Sequence, residues 1–408
     1  MTNAGQPRVI FMHDHCFLRD FHGRVYSEGK ITDAVIKRYR ELAEEVVIVS
    51  RLRDVPSTEG LVALNTENMR MAPVKGLSVG LILGFHLLSN VRLIWREFAS
   101  ARAVIIRAPC FLSLLALPVL LLQRKPHFVE VVGFPKEAIA GRGAGLIQDL
   151  IGSVMQGATR LLVRRAAGVI YVTQSALQAE LPAAGLTAAA SNVELPVAPI
   201  APGARSYEAH TMPMKIGLIG SYSTNYKGID VAIRAVASLR LQGIACTLHI
   251  LGSGNEVPYR ELAEDLGCTH AVHFDGRRHG GIEVAEWLDG IDVYIQPSHT
   301  EGLPRALVEA MARGLPAVAS NVGGIPELLP ARWLIPPGDA DTLADRIRIL
   351  LASREERQAA GEANLLRAQD YDQNVLRERR HNFWKKAAQL LASGAPQASQ
   401  SGHRAANE

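Results

Sequence analysis

The sequence predicts an α/β protein made of two doubly wound parallel-sheet domains, and three observations carry that expectation. A chain of 408 residues exceeds one ordinary core and divides naturally into units of about 200 residues. Short apolar runs alternate with helical patterns along its length, as βαβ units require. The alternation breaks once, over Val197–Pro213, where proline, alanine, glycine and serine accumulate without either periodicity.

In the first half the apolar runs Val9–Met12, Val46–Val49, Val104–Ile106, Phe128–Val132 and Val169–Val172 read as strands. Ile31–Ala43 places Ile31, Ala34, Val35, Tyr39 and Leu42 at the period of an amphipathic helix. Ser175 followed by Gln178 has the form of a capping box opening another helix. After the break, strands are expected at Lys215–Ile219, Thr247–Leu251, Val272–Asp275, Val293–Gln296, Ala317–Ser320 and Trp333–Ile335. Helices are expected between them, starting with Ile229–Leu241, and again near Glu355–Arg367 and Val375–Leu391. The division is therefore 1–196, a linker 197–213, 214–372, a closing helix 373–392 and a disordered tail 393–408. In two such Rossmann-like domains, ligands collect in an interdomain cleft at the carboxyl ends of the strands.

Composition narrows the class. With 48% hydrophobic and 21% charged residues the chain is a folded one. A formal charge of +4 is too small to argue for nucleic acid as a partner. Cys16, Cys110, Cys246 and Cys268 lie far apart without a CxxC pair, which favours a reducing cytoplasm over a disulfide framework. The polar start Met1–Arg8 lacks the form of a signal peptide. Leu77–Val91, broken by His86 and Asn90, and Phe111–Leu122, holding Pro118, fall short of the roughly 18–20 residues a spanning helix needs.

The most informative stretch is Ser298–Val318, SHTEGLPRALVEAMARGLPAV. It follows an expected strand and enters a helix at Pro304, where a missing N–H costs nothing. The amides of Arg305 and Ala306 then point out of the helix start, where the macrodipole favours an anion. Glu301 precedes that start and Glu309 lies beyond the first turn. A carboxylate binds phosphate poorly but accepts well from vicinal hydroxyls. The spacing suits a ligand with phosphate in the middle and a diol on each side, which describes a nucleotide sugar.

The stretch resembles the E-x7-E signature of glycosyltransferase family 4, whose members have the GT-B fold of two Rossmann-like domains. Gly302, Leu303, Pro304, Ala310, Met311, Gly314 and Pro316 all stand where that signature has them. The resemblance implies that Glu301 holds donor-sugar hydroxyls and Glu309 the ribose diol. A second motif, Ile219–Asp230 (IGSYSTNYKGID), resembles the family's GRxxxxxKG loop. Gly220, Lys227 and Gly228 match, and Lys227 is implied to grip the diphosphate. Ser221 stands where the family has an arginine, so it offers a hydrogen bond without charge. Gly252-Ser253-Gly254 and Gly276-Arg277, each after a strand, correspond to the nucleotide-base pocket, with Arg277 and Gly252 as donor contacts.

In the first half Met12–Cys16 reads MHDHC. His13 and His15 share a face but two ligands do not make a zinc site, so the stretch is read as a loop with Asp14 near the acceptor. Gly23–Ser27 resembles the family's donor-phosphate glycine loop, with only Gly23 carried over. Glu130, in the strand FVEVVG, borders the acceptor or belongs to a buried ion pair. The resemblance implies a retaining, metal-independent transfer from a nucleotide-activated sugar, UDP-linked by default, to a saccharide or lipid-linked saccharide in polysaccharide assembly. It implies an acceptor-binding first domain, a donor-binding second domain and a closing helix that packs back on the first. No cofactor, metal or nucleic acid is called for.

Arg160, Arg164 and Arg165, and Arg377, Arg379, Arg380, Lys385 and Lys386 around Phe383 and Trp384, offer contact with an anionic membrane at the inner face of the cell membrane. The bland alternative is solvated helix faces. Competing activities are a sugar-nucleotide epimerase, a phosphorylase or a non-catalytic sugar-nucleotide-binding protein. A nicotinamide enzyme is disfavoured because neither half has GxGxxG after its first strand.

Overall fold

A computed structural model describes residues 7–29, 31–65, 67–136, 146–193, 195, 205 and 213–393. The linker reading therefore falls outside the described residues except at Arg205 and Pro213, as does the tail reading beyond Ser393. The chain divides into two compact units. One comprises Met1–Val172, Leu177–Ala190 and Glu378–Glu408; the other comprises Thr173–Ala176 and Ser191–Arg377.

The first unit is a nine-stranded sheet. Its parallel core runs β5 (Met69–Met71), β3 (Glu45–Asp54), β1 (Arg8–Arg19), β6 (Ala103–Ala108), β7 (His127–Val131), β8 (Gly168–Tyr171) and β9 (Leu186–Ala189). Two short antiparallel strands, β2 (Val25–Ser27) and β4 (Val62–Ala63), extend it from the far end of β1. All five expected strands are present. The residues read as a glycine loop are not a loop: Val25–Ser27 is β2, and Gly23 sits in the hairpin turn before it. The turn forms because Asp20 gathers the N–H groups of His22 and Arg24 at 3.0 and 2.8 Å, while Gly23 adopts φ +82°. The MHDHC stretch is likewise not a loop off β1. The strand continues through it, with a register shift between Met12 and Cys16 that marks a bulge.

Ile31–Ala43 buries Ile31, Val35, Tyr39 and Leu42, as its period demands. Only Asp33–Lys37 (α1) is α-helical, and the chain tightens into a 3-10 turn at Arg38–Glu41. The remaining helices of this unit are α2 (Leu87–Ala99), preceded by a π turn at Leu81–Phe85, α3 (Ser113–Gln123), α4 (Leu146–Arg165) and α5 (Ala176–Glu180). Among the described residues no helix is long and apolar enough to cross a membrane.

The second unit is a six-stranded sheet in the order β12-β11-β10-β13-β14-β15, parallel at every pairing. The strands are β10 (Met214–Ile219), β11 (Cys246–Leu251), β12 (Val272–Gly276), β13 (Val293–Gln296), β14 (Ala317–Ser320) and β15 (Leu334–Ile335). This is the order 3-2-1-4-5-6 of a dinucleotide-type fold, and its connections reverse direction between β10 and β13. Ligands bind outside the carboxyl ends of the strands at such a switch. The helices α6 (Ile229–Leu241), α7 (Val257–Asp265), α8 (Ile282–Asp289), α9 (Arg305–Ala312), α10 (Ala340–Ala352) and α11 (Arg354–Ala368) cover the sheet. Asp339 and Ser353 cap α10 and α11 through their side chains.

The last helix, α12 (Gln373–Ser393), delivers Phe383, Trp384 and Ala387 into the core of the first unit. Trp384 lies edge-on to Tyr39 at 5.3 Å and to Phe128 at 5.9 Å. This fits the expected closing helix and leaves no membrane-facing role for Phe383 and Trp384: both are fully packed, and Arg380 is buried with them. Trp384→Ala is expected to destabilise the protein by about 3–5 kcal/mol, the cost of emptying an aromatic site, as measured by urea unfolding. A loss below about 1 kcal/mol would show that α12 is not part of the core.

Candidate active site at the second unit's switch point

The loop Gly220–Gly228 leaves β10, and the loop Pro297–Pro304 leaves β13, so both emerge where the strand order reverses. Two contacts bind them together. The His299 amide donates to the Tyr226 carbonyl at 2.8 Å. Gly228, at φ +67°, lies so close to the Pro297 carbonyl that a Cβ would fall 1.9 Å from its oxygen. Only glycine allows that approach. The turn Asn225–Lys227 is thereby pressed against the β13 loop, and Lys227 meets Glu301.

The Lys227 Nζ donates to Glu301 Oε1 at 2.6 Å, and both side chains are about nine-tenths covered. The same oxygen accepts from Ser298 Oγ at 2.8 Å and Gln296 Nε2 at 3.1 Å. Gln296 and Ser298 are wholly buried. Behind them the Tyr294 hydroxyl donates to Gln296 Oε1 at 2.7 Å. Burial first, and then the Glu301 and Glu309 carboxylates, push Tyr294 well above its ordinary pKa, so it remains a donor. Glu301 is thus held by buried groups that do not depend on the lysine. A ligand anion can take Lys227 and a ligand hydroxyl can take Glu301 without the carboxylate losing its position.

The helix α9 starts beside this pair. Pro304 is its N-cap, in extended conformation, and the helix begins at Arg305, as its apolar pattern predicts. The amides of Arg305 and Ala306 fall among the first four, which have no partner within a helix. Glu309 accepts from Arg305 Nε at 2.8 Å one turn up. Gly302 and Leu303 occupy the approach: the Gly302 carbonyl accepts from the Gly324 amide at 2.6 Å, and Leu303 packs on the core. Gly323 presses on the Glu301 carbonyl, where a Cβ would come to 1.7 Å. That brace, Gly323-Gly324 after β14, was missed from the sequence. Its one signal was a glycine pair closing a strand.

On the other side Gly252 abuts the Gly220 carbonyl, and its amide donates to Gly276 at 2.8 Å. Ser221 Oγ donates to the Ser253 carbonyl at 3.3 Å and accepts from the Ser223 amide at 3.2 Å, so it shapes the loop. Arg277 follows Gly276 on the exposed edge of β12. A depression of about 570 Å³ is lined by Tyr222–Asn225 of this loop together with Asp230, Glu261 and Asp265. Its acidic lining repels a diphosphate, whereas Lys227 and the start of α9 attract one. Glu327, also unforeseen, accepts the amides of Gln174, Ser175 and Ala176 at 2.5–2.8 Å.

Three first-unit residues fare differently. Asp14 lies at the switch between β1 and β6, but its carboxylate is engaged by the amides of Phe111 and Leu112 and by the Cys110 thiol, tying down the start of α3. Burial, and then the Asp14 charge, push the Cys110 thiol up, so it stays a donor. Glu130 pairs in register with Arg107 and raises the Tyr39 pKa through its charge, second to burial. It is buried within the sheet. Gly23 is the hairpin turn described above. A pocket of about 540 Å³ does open in this unit, among His13, Asp14, His15, Arg51, Arg53 and Phe111. The two histidines were dismissed as metal ligands from the sequence, and the arginines were not singled out.

Comparison with known proteins agrees with this geometry. Residues 213–353 match the family described as Glycosyl transferases group 1. The chain carries a group 1 glycosyltransferase domain. It is 27% identical to Protein CapJ of Staphylococcus aureus over 352 residues, covering 86% of this chain and 88% of CapJ. It is 39% identical to the amylovoran biosynthesis glycosyltransferase AmsK of Erwinia amylovora over 134 residues, 30% of this chain and 32% of AmsK. Among solved structures, sucrose-phosphate synthase from Thermosynechococcus elongatus aligns over 95% of this chain and all of that one, with TM-score 0.65 and 18% identity. HepE from Anabaena, solved with UDP and glucose, aligns over 94% and 99%, with TM-score 0.60 and 17% identity. The fold is GT-B, and the chain is a glycosyltransferase.

Asp14→Ala is expected to lower the unfolding free energy by about 2 kcal/mol, because it strands the α3 amides. Thermal and urea melts check this. A variant as stable as the parent would return Asp14 to the list of ligand-binding candidates.

Proposed function

We propose that the protein transfers a sugar from a nucleoside-diphosphate donor, UDP-linked by default, to a saccharide or lipid-linked saccharide during polysaccharide assembly. The single observation that carries this is the Lys227–Glu301 pair beside the start of α9. Cleavage of the donor places negative charge on the leaving diphosphate. Lys227 and the Arg305 and Ala306 amides supply preorganised positive charge there, so the reaction proceeds without a metal. Glu301, held by Ser298 and Gln296, accepts from donor-sugar hydroxyls. Glu309 accepts from the ribose diol after exchanging Arg305 for it. Gly220, Gly252 and Ser221 form the close backbone wall of the donor site, Gly302 and Leu303 its floor, and Arg277 reaches the base. The leaving phosphate takes the proton of the acceptor hydroxyl on the same face, with retention, as the resemblance in Ser298–Val318 implies.

For the acceptor, the 540 Å³ pocket keeps Asp14, which lines it, and takes the place of the contacts first assigned to Gly23 and Glu130. His13, His15 and Arg51 give it donors and acceptors for hydroxyls, and Arg53 adds positive charge for a phosphate. Such chemistry suits a cytoplasmic enzyme working on a saccharide with an anionic anchor.

Two measurements test this reading. In a thermal-shift panel of UDP-, GDP- and ADP-sugars, one base is expected to raise the midpoint by several degrees through linkage, and no shift with any would remove the donor assignment. Lys227→Ala is expected to lower turnover about 10²–10³-fold. Its stability should fall by less than the roughly 3–5 kcal/mol of breaking a fully unsupported buried pair, because Glu301 keeps its two buried donors. Undiminished turnover would take Lys227 out of the chemistry.

A further inference from the structure

In the first unit α2, α3 and α4 lie side by side, α2 against α3 and α3 against α4. The Gln123 side chain joins the first pair by donating to the Trp95 carbonyl at 2.9 Å. The outward positions of this layer are apolar where a solvated helix would be polar. Phe85, Leu88, Leu122, Ile147 and Leu150 are each about two-thirds exposed or more. They recur at helical spacing: Leu81, Phe85 and Leu88 continue to Trp95, and Ile147 continues to Ile151 and Val154. A run of this extent is more than the scattered apolar side chains of an ordinary surface.

The charges among them are mostly positive, with Asp149 the one exposed acid on these segments. Arg92, Arg96, Arg124, Arg160, Arg164 and Arg165 are exposed on the same three segments. Over 77–99, 111–126 and 147–165 the only acidic residues are Glu97 and Asp149. Glu97 is buried and paired with Arg70 and Arg96. A second copy docked through this face about a two-fold axis would bring arginine against arginine. An anionic bilayer offers what the face matches: apolar depth for the leucines and aromatics, and negative headgroups for the guanidinium groups.

We propose that the layer α2–α4 docks on an anionic lipid surface. The inference rests on the acceptor reading in one respect. Leu77, just before the Leu81–Phe85 turn, and Met155 of α4 also line the 540 Å³ pocket. The pocket therefore opens beside the docked face, where the headgroup of a lipid-anchored acceptor would stand. The surface differs from the one suggested by the C-terminal basic cluster, whose aromatics are packed inside.

Flotation of the full chain with vesicles of phosphatidylcholine alone, or mixed with phosphatidylglycerol, tests the proposal. Binding is expected to the mixed vesicles at low salt, weaker at high salt and absent with phosphatidylcholine. Leu88→Glu combined with Leu150→Glu should reduce the bound fraction at least about tenfold. Leu241→Glu, an equally exposed leucine of the second unit, should leave it unchanged. Both variants must keep the parent's melting midpoint. No flotation with mixed vesicles, or equal flotation of the double variant, overturns the proposal. So does a dimer or a complex with an acidic protein that the double variant abolishes while vesicles stay unbound. Turnover on a water-soluble acceptor separates the two readings. A chain that turns over but does not float loses the docking alone, and one that floats but never consumes a nucleotide sugar loses the transfer alone.

Discussion

The ion pair between Lys227 and Glu301 is the contact on which the rest of the second unit's design depends. Opposite charges 2.6 Å apart and nearly covered are costly unless their remaining valences are met. Here the carboxylate's are met from beneath, by Ser298, Gln296 and, through Gln296, Tyr294. Among the described residues the lysine is backed only by the Tyr226 ring, 4.8 Å from its Nζ. The pair is therefore asymmetric, with a fixed acid and a movable base. That asymmetry lets the cation turn to a ligand anion while the carboxylate keeps its position.

The sheet order explains why these residues meet at all. Reversal between β10 and β13 leaves a crevice at the strand ends, and each flanking loop contributes one member of the pair. Close backbone packing then removes the slack. Gly228 against Pro297, Gly252 against Gly220 and Gly323 against Glu301 are three places where a side chain would collide with a carbonyl. The loops are fixed by backbone contact more than by side-chain bonds. Ser221 bridges to Ser253 and shapes the loop without supplying charge.

The first unit shows the same fold put to different use. At its own switch point, between β1 and β6, the acidic residue faces inward onto the start of α3, and the open volume beside it is lined by histidines and arginines. Its closing helix α12 fills the opposite requirement, completing the core with Trp384 and Phe383. The basic residues around those aromatics lose the meaning suggested by composition, because the apolar members are buried. The exposed apolar layer lies elsewhere, on α2–α4.

The sequence by itself determined the elements and the spacing of the Ser298–Val318 segment. Strand periodicity found every strand of the second unit to within about a residue, and Ser298–Val318 put Glu301, Glu309 and the helix start close together, because those positions depend on local spacing along one loop and one helix. Four things required tertiary structure. Gln296, Ser298 and Tyr294 support Glu301 through side chains whose direction depends on strand pairing. Asp14 caps a helix almost a hundred residues away. Glu130 sits beside Arg107 because of β6–β7 register, and Gly23 turns a hairpin whose partner strand is too short to show a period. Whether a leucine, tryptophan or arginine on a helix faces core or solvent is likewise set by the neighbours it packs against. The physical reason is common to all of them: local pattern fixes conformation and spacing, whereas burial and hydrogen-bond partnership are decided by contacts between segments distant along the chain.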